Sequence, residues 1–347
     1  MSGNETTQGA RRQRVTYFDW LRGAATIGVV ALHMFNKMLT DHPVSDFGAP
    51  MVIAWTELQL VFTRWAVPVF LMITGALLLD PKRTIGWDKI GRYVARMVAV
   101  LLIFCPVYTC MSARAITLPA IVEGLGKALT QGSWDHLWYV YALIGLYLLT
   151  PILAGYVRAT SAAQQRSALL VLAVPTLVIP TFNFATGAGV VTFVWVTSSL
   201  FYYLLGAYAH QHLRLNGRIA ALGLGSLAVD AVAIFALVLL QRRYPKWIIR
   251  PECPLVALWS LFLFLAAKQH LDGQPAPAPL ALTSNLSLAI YLLHPLALIV
   301  WYRRLWWLPY VTMPPVVFEL VVFALTLGPA IAMAMLLKRV PGLRKIL

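Results

Sequence analysis

A chain of 347 residues in which 60% of side chains are hydrophobic, only 12% are charged and the mean hydropathy is +0.73 is not a water-soluble domain, where roughly a quarter of residues carry charge. The formal net charge of +15 comes without a basic, aromatic-interleaved domain of the kind that binds nucleic acid, so nucleic acid is excluded as a partner and the surplus is assigned to topology and anionic lipid. Cys105, Cys110 and Cys253 follow no metal or disulfide spacing and read as small apolar packing residues.

Residues 1–14 are polar and lack a cleavable apolar core, so they read as a cytoplasmic tail before an uncleaved first helix. Apolar windows of about 20 residues then fall near 17–38, 52–79, 93–111, 136–153, 167–181, 190–209, 219–240, 253–267, 282–302 and 315–337. The fifth and eighth are short or interrupted by Pro175, Pro180 and Pro254. The expected fold is all-α: a polytopic membrane helix bundle of about ten transmembrane helices, forming one domain over residues 15–340 and followed by a cytoplasmic tail at 341–347. No soluble domain is visible. The longest outer connection runs over 112–135, and the inner connection 268–279 contains the Pro/Ala linker 274–279.

Four spans carry polar groups that a bilayer penalises, and such groups mark functional sites. In the first, 19–33 reads DWLRGAATIGVVALH. Eleven helical residues turn through about 1100° and rise roughly 16 Å, so Arg22 and His33 share a face. Asp19 lies one turn before Arg22, within ion-pair reach. In the second span Glu57 and Arg64, seven residues apart, fall on one helix face about 10 Å apart along the axis. His136 opens the fourth span at the outer interface with Trp138 and Tyr139 beside it, a place where aromatic residues also serve as belts. His294 sits mid-span before Pro295, which frees a backbone carbonyl and can kink the helix toward a site. The seventh and tenth spans also hold single acids, Asp230 and Glu319, which suit partners for cations and are assigned no role.

An imidazole inside the bundle can take a proton, and fixed cations can hold an anionic group or stabilise developing negative charge. His33 suits a base or a nucleophile; Arg22 suits a phosphate. Arg64 suits a carbonyl oxygen. The outer segment 241–250, with Arg242, Arg243, Lys246 and Arg250 beside Tyr244 and Trp247, suits either an anionic glycan or the membrane interface, and 303–307 reads the same way.

The runs DWLRGAATIGVVALH (19–33), RWAVPVFLMITGALL (64–78), HLWYVYALIGLYLLTP (136–151) and SLAIYLLHP (287–295), in this order over most of the chain, resemble the acyltransferase-3 family of integral-membrane acyltransferases. The nearest likeness within it is to the branch containing the enterobacterial common antigen O-acetyltransferase. Thr74 stands where the commoner sequence has Ser, a change between small hydroxyls. The resemblance implies a ten-helix bundle in the bacterial cytoplasmic (inner) membrane. It would move an acyl group, most simply acetyl, from cytoplasmic acyl-CoA to a hydroxyl of an exported or cell-surface glycan or lipid-linked sugar, with no metal. It implies site roles for Arg22, His33, Arg64 and His294, and its motifs bring in Asp19, His136, Trp138, Tyr139 and Tyr291 as residues near donor or acceptor; Glu57 lies outside these motifs and is a second-rank candidate on its spacing from Arg64 alone. The competing class is a transporter that uses the same Arg and His groups to bind a small solute or an acyl-bearing molecule. No internal repeat of the kind found in many transporters is visible.

With ten spans and an inner N-terminus, seventeen Lys and Arg fall in inner segments and nine in outer ones, which the positive-inside rule reads as both termini inside. A cysteine introduced beside Lys345 should react with a membrane-impermeant maleimide only in inverted vesicles, and one placed within 242–250 only in intact cells. Labelling beside Lys345 from outside intact cells would overturn this topology.

Overall fold

The computed structural model describes residues 15–41, 49–130, 132–190, 197–241, 247–305 and 315–347. Among them every regular element is helical: α1 (Tyr17–Asp41), α2 (Ala49–Phe62), α3 (Ala66–Leu78), α4 (Trp87–Ala113), α5 (Leu118–Thr130), α6 (Trp138–Ala159), α7 (Ala162–Ala173), α8 (Ile179–Thr186), α9 (Ser198–His212), α10 (Gly217–Gln241), α11 (Pro254–His270), α12 (Ala278–Asn285), α13 (Ser287–Leu305), α14 (Pro315–Leu337) and α15 (Pro341–Ile346). A 3-10 turn, Asp135–Leu137, leads into α6, and one π turn, Val174–Val178, joins α7 to α8.

The bundle is arranged around α1, which packs on α2, α3, α11, α12, α13 and α14. Its polar residues explain that position. A helix carrying Asp19, Arg22, His33, Asn36 and Lys37 cannot present them all to lipid. Helix α3 is the opposite case: it is apolar on all sides, so neighbours cover it nearly all round.

The second span is broken. Pro68 has no amide hydrogen, and its ring would collide with the carbonyl of Arg64, four residues back, in a continuous helix. The chain therefore turns at Thr63–Trp65 between α2 and α3. Carbonyls freed by such a break must find donors inside the membrane. The Val61 carbonyl accepts the indole N–H groups of Trp65 (2.9 Å) and Trp259 (3.3 Å), while the Gln59 carbonyl keeps the backbone N–H groups of Thr63 and Arg64.

Six helical stretches among the described residues are long and apolar enough to cross a bilayer, seven if the pair α12 and α13 counts as one. The expectation of ten rests on apolar windows, and the difference has three physical sources. Helix α1 is diluted by its polar residues, α9 and α11 have only 15 and 17 residues, and the window 282–302 is not one rod. The axes of α12 and α13 differ by 86°, so 282–285 belongs to a helix that turns away from the rest. Two shorter helices also stand where no element was expected: α5 lies within the outer connection, and α15 lies within the C-terminal tail. That tail is not detached, because the Arg96 Nε donates to the Ile346 carbonyl at 2.7 Å and the Leu347 side chain is buried. Residues 1–14, Arg242 to Lys246, Trp306 and Trp307 lie outside the described residues.

Without a hydrophobic drive between helices in lipid, association rests on close packing and hydrogen bonds. The α3–α9 contact is the tightest example. A Cβ on Gly75 would lie 1.8 Å from the Tyr203 carbonyl oxygen and one on Gly206 would lie 2.1 Å from that of Met72, so the two backbones touch where both side chains are hydrogen. The Tyr203 hydroxyl and the Thr150 hydroxyl, 2.8 Å apart, tie the same region to α6. Gly75→Val and Gly206→Val should each destabilise the solubilised protein by about 1–3 kcal/mol, the usual range for overpacking. Gly145→Val should change little, since a Cβ there meets nothing within 4 Å. Thermal unfolding in detergent checks the difference.

Candidate active site

One cavity of about 570 Å³ runs along the inner face of α1. Arg22, Thr26, Val29 and His33 line it, at steps of four, three and four residues that place them on one stripe of the helix. Val67, Phe70 and Thr74 of α3 form a facing wall.

The end nearer the termini is cationic. Arg22, Arg96 and Lys338 line it, with Ser284 and Asn285 from the α12–α13 bend and Leu347 from the C-terminal segment, and no Asp or Glu is among the lining residues. Arg22 faces Asp19 at 3.9 Å, and the Ser284 hydroxyl donates to Asp19 at 3.4 Å, so the carboxylate stands behind the guanidinium rather than in the cavity. The Lys338 ammonium donates to the Asn285 carbonyl, and Arg96 is held by the Ile346 carbonyl. Burial, and then the charge of Arg96, keeps the Lys338 pKa below the ordinary lysine value.

About 16 Å along the helix, the other end is built from imidazoles. The ring centroid of His33 is 5.1 Å from that of His294 and 6.2 Å from that of His136, and the last two are 5.9 Å apart. Tyr108 and Tyr291 close the group at 4.9 and 5.2 Å from the His136 ring. The Tyr291 hydroxyl donates to the His136 carbonyl, and that of Tyr108 to the Leu292 carbonyl at 2.9 Å. Both ring nitrogens of His136 are buried without a hydrogen-bond partner. Among the described residues no group of three or more His, Cys, Asp or Glu has the arrangement of a metal site.

Of the residues singled out from sequence, Arg22, His33, His136, Trp138, Tyr139 and Tyr291 line the cavity. His294 stands directly behind His33. His136 is buried, 1% exposed, rather than lying in an interfacial belt, because the 3-10 turn carries it inward before α6 begins; Trp138, 47% exposed, faces outward at the mouth. Arg64 and Glu57 belong to one helical stretch, 50–78, with a local turn at Thr63–Trp65. Arg64 lies in that turn, where its guanidinium donates to Asn36 and Gln59, and its charge reaches His33. Glu57 is half-buried on α2 and does not line the cavity.

Arg96 and Lys338 were read only as topology signals. Their flanks held a further clue: Arg96 lies between Tyr93 and Met97, both of which line the cavity, so it falls on the inward face of α4.

No curated protein and no solved structure matches the chain. The family described as "Acyltransferase domain", acyltransferase-3, matches residues 15–335. With that match over nearly the whole helical bundle, the chain belongs to the acyltransferase-3 family and is a membrane acyltransferase.

Proposed function

We propose that this protein is an acyl-CoA-dependent O-acyltransferase, with acetyl as its acyl group, that modifies a hydroxyl of an exported glycan or lipid-linked sugar at the bacterial inner membrane. The observation that carries the reading is the polarity of the cavity: three cations at the end near the termini and an imidazole cluster at the other. Guanidinium and ammonium groups recognise phosphate, so Arg22, Arg96 and Lys338 suit the phosphates of coenzyme A. The stripe Thr26–Val29 then guides the pantetheine arm, and the thioester arrives beside His33.

The chemistry balances on these groups. Neutral His33 takes the proton from the acceptor hydroxyl as its oxygen attacks the thioester carbonyl. An N–H of His136, whose ring nitrogens are buried without a hydrogen-bond partner, donates to the oxyanion. Collapse breaks the C–S bond, and the proton held on His33 passes to the leaving sulfur, giving the ester and free coenzyme A. A short acyl group suits the space among Val29, Val67 and Phe70. Exposed Trp138 at the mouth offers a flat face of the kind that stacks on a sugar ring.

Three outcomes follow from this reading. His33→Ala should lower acetyl transfer at least about 100-fold, the lower end of general-base contributions, while acetyl-CoA binding persists; labelled acetyl-CoA with the purified protein in detergent measures both. Arg22→Lys, which loses the rigid fork, should raise the KM for acetyl-CoA about tenfold or more in inserted protein. Because Lys338 sheds its proton at lower pH than an exposed lysine, the KM for acetyl-CoA should rise on the alkaline side, and Lys338→Arg should abolish that rise. Solute accumulation in vesicles with no thioester cleavage would replace the enzyme by a transporter.

A further inference from the structure

His294 is fully buried and does not line the cavity, so it does not touch a substrate held there. Its ring is nevertheless the nearest imidazole to His33, with centroids 5.1 Å apart. The Nδ1 atom lies 3.0 Å from the Ile290 carbonyl oxygen. A carbonyl only accepts, so Nδ1 carries the hydrogen and Nε2 presents a lone pair. Next in the chain, Pro295 has no amide hydrogen, so the Tyr291 carbonyl lacks its usual helical donor as well. Nε2, by contrast, is buried with no hydrogen-bond partner. Buried acceptors are nearly always paired, and an exception calls for an explanation.

We propose that His294 is a positioning residue that acts through His33: with a small turn of the two rings, whose centroids are 5.1 Å apart, its free Nε2 accepts the N–H of the His33 ring and thereby fixes which His33 nitrogen is left as the base. This rests on the reading of His33 as base. Among the described residues, the other ionisable groups facing this pair are His136 from the turn before α6, with Tyr108 of α4 behind it, and Tyr291 on α13 itself, with Arg64 acting on His33 from the α2–α3 junction. None of these neighbours is a carboxylate, so a neutral imidazole of fixed tautomer is the acceptor at hand for orienting His33. It also leaves the pair uncharged until the acceptor's proton arrives.

The test is a double-mutant cycle on the full chain reconstituted in liposomes, with acetyl-CoA as the probe and release of the coenzyme A thiol as the readout. His294→Leu should lower kcat at least about tenfold, leave the KM for acetyl-CoA within about twofold, and displace the acid limb of the kcat–pH profile. His294→Gln, which keeps a polar atom near the position of Nε2, should recover most of the lost rate. The decisive variant combines His33→Ala with either change: it should be no slower than His33→Ala alone, because residues acting as one unit are not additive. A wild-type kcat and pH profile in both His294 variants, or a double variant slower by the product of the single losses, would overturn the proposal. If His294→Leu does not accumulate, His294→Asn, whose amide sits near Nδ1 and leaves nothing at the place of Nε2, takes its place in the cycle with the same expected loss. Wild-type thiol release by His33→Ala would instead remove the base reading itself, a result separate from any outcome at His294.

Discussion

The constraint on which this structure depends is the impossibility of exposing α1 to lipid. A helix with Arg22 and His33 on one face and Asp19 beside it has to be surrounded. The surrounding helices accordingly include the least amphipathic parts of the chain, with α3 apolar on all sides. Backbones are brought together by glycines at Gly75 and Gly206, and at Gly23, where a Cβ would lie 2.3 Å from the Leu280 carbonyl oxygen. Close backbone approach on the outside of the site and polar side chains on the inside are two aspects of one solution, since in lipid neither could be replaced by hydrophobic burial.

Much of this was legible in the sequence because it depends on helical period alone. The step from Arg22 to His33 places both on one stripe whatever the neighbours are, and the cavity follows that stripe. Period fails where the helix fails. Around Pro68 the period is disturbed only locally, at Thr63–Trp65, inside one helical stretch. The window 282–302, by contrast, hid a right-angled turn at Leu286, because apolarity says nothing of direction. Arg96 and Lys338 were hidden for another reason: a cation near a membrane surface satisfies the topological bias so readily that its sequence position does not reveal a second role.

The breaks themselves fall where the site needs them. The interruption at Thr63–Trp65 puts Arg64 within reach of Asn36 on α1, one turn beyond His33, and the bend between α12 and α13 brings Ser284 and Asn285 to the cationic end. At each place a side chain or backbone group that an unbroken helix would direct elsewhere is turned toward α1. The carbonyl groups that such breaks expose are met locally, by Trp65 and Trp259 in the first case, so irregular backbone survives at membrane depth.

The separation between the cations and the imidazoles has an electrical consequence. Moving one elementary charge through a potential of 100 mV changes its free energy by about 2.3 kcal/mol, and a coenzyme A molecule carries several negative charges. With its phosphates held at Arg22, Arg96 and Lys338, only an uncharged acyl group advances beyond His33, and the proton that His33 takes from the acceptor hydroxyl ends on the sulfur, so each product keeps the charge of the reactant it came from. On the proposed reading no net charge crosses the bilayer in a turnover, so the transfer is electrically silent and runs equally well in an energised and a depolarised membrane.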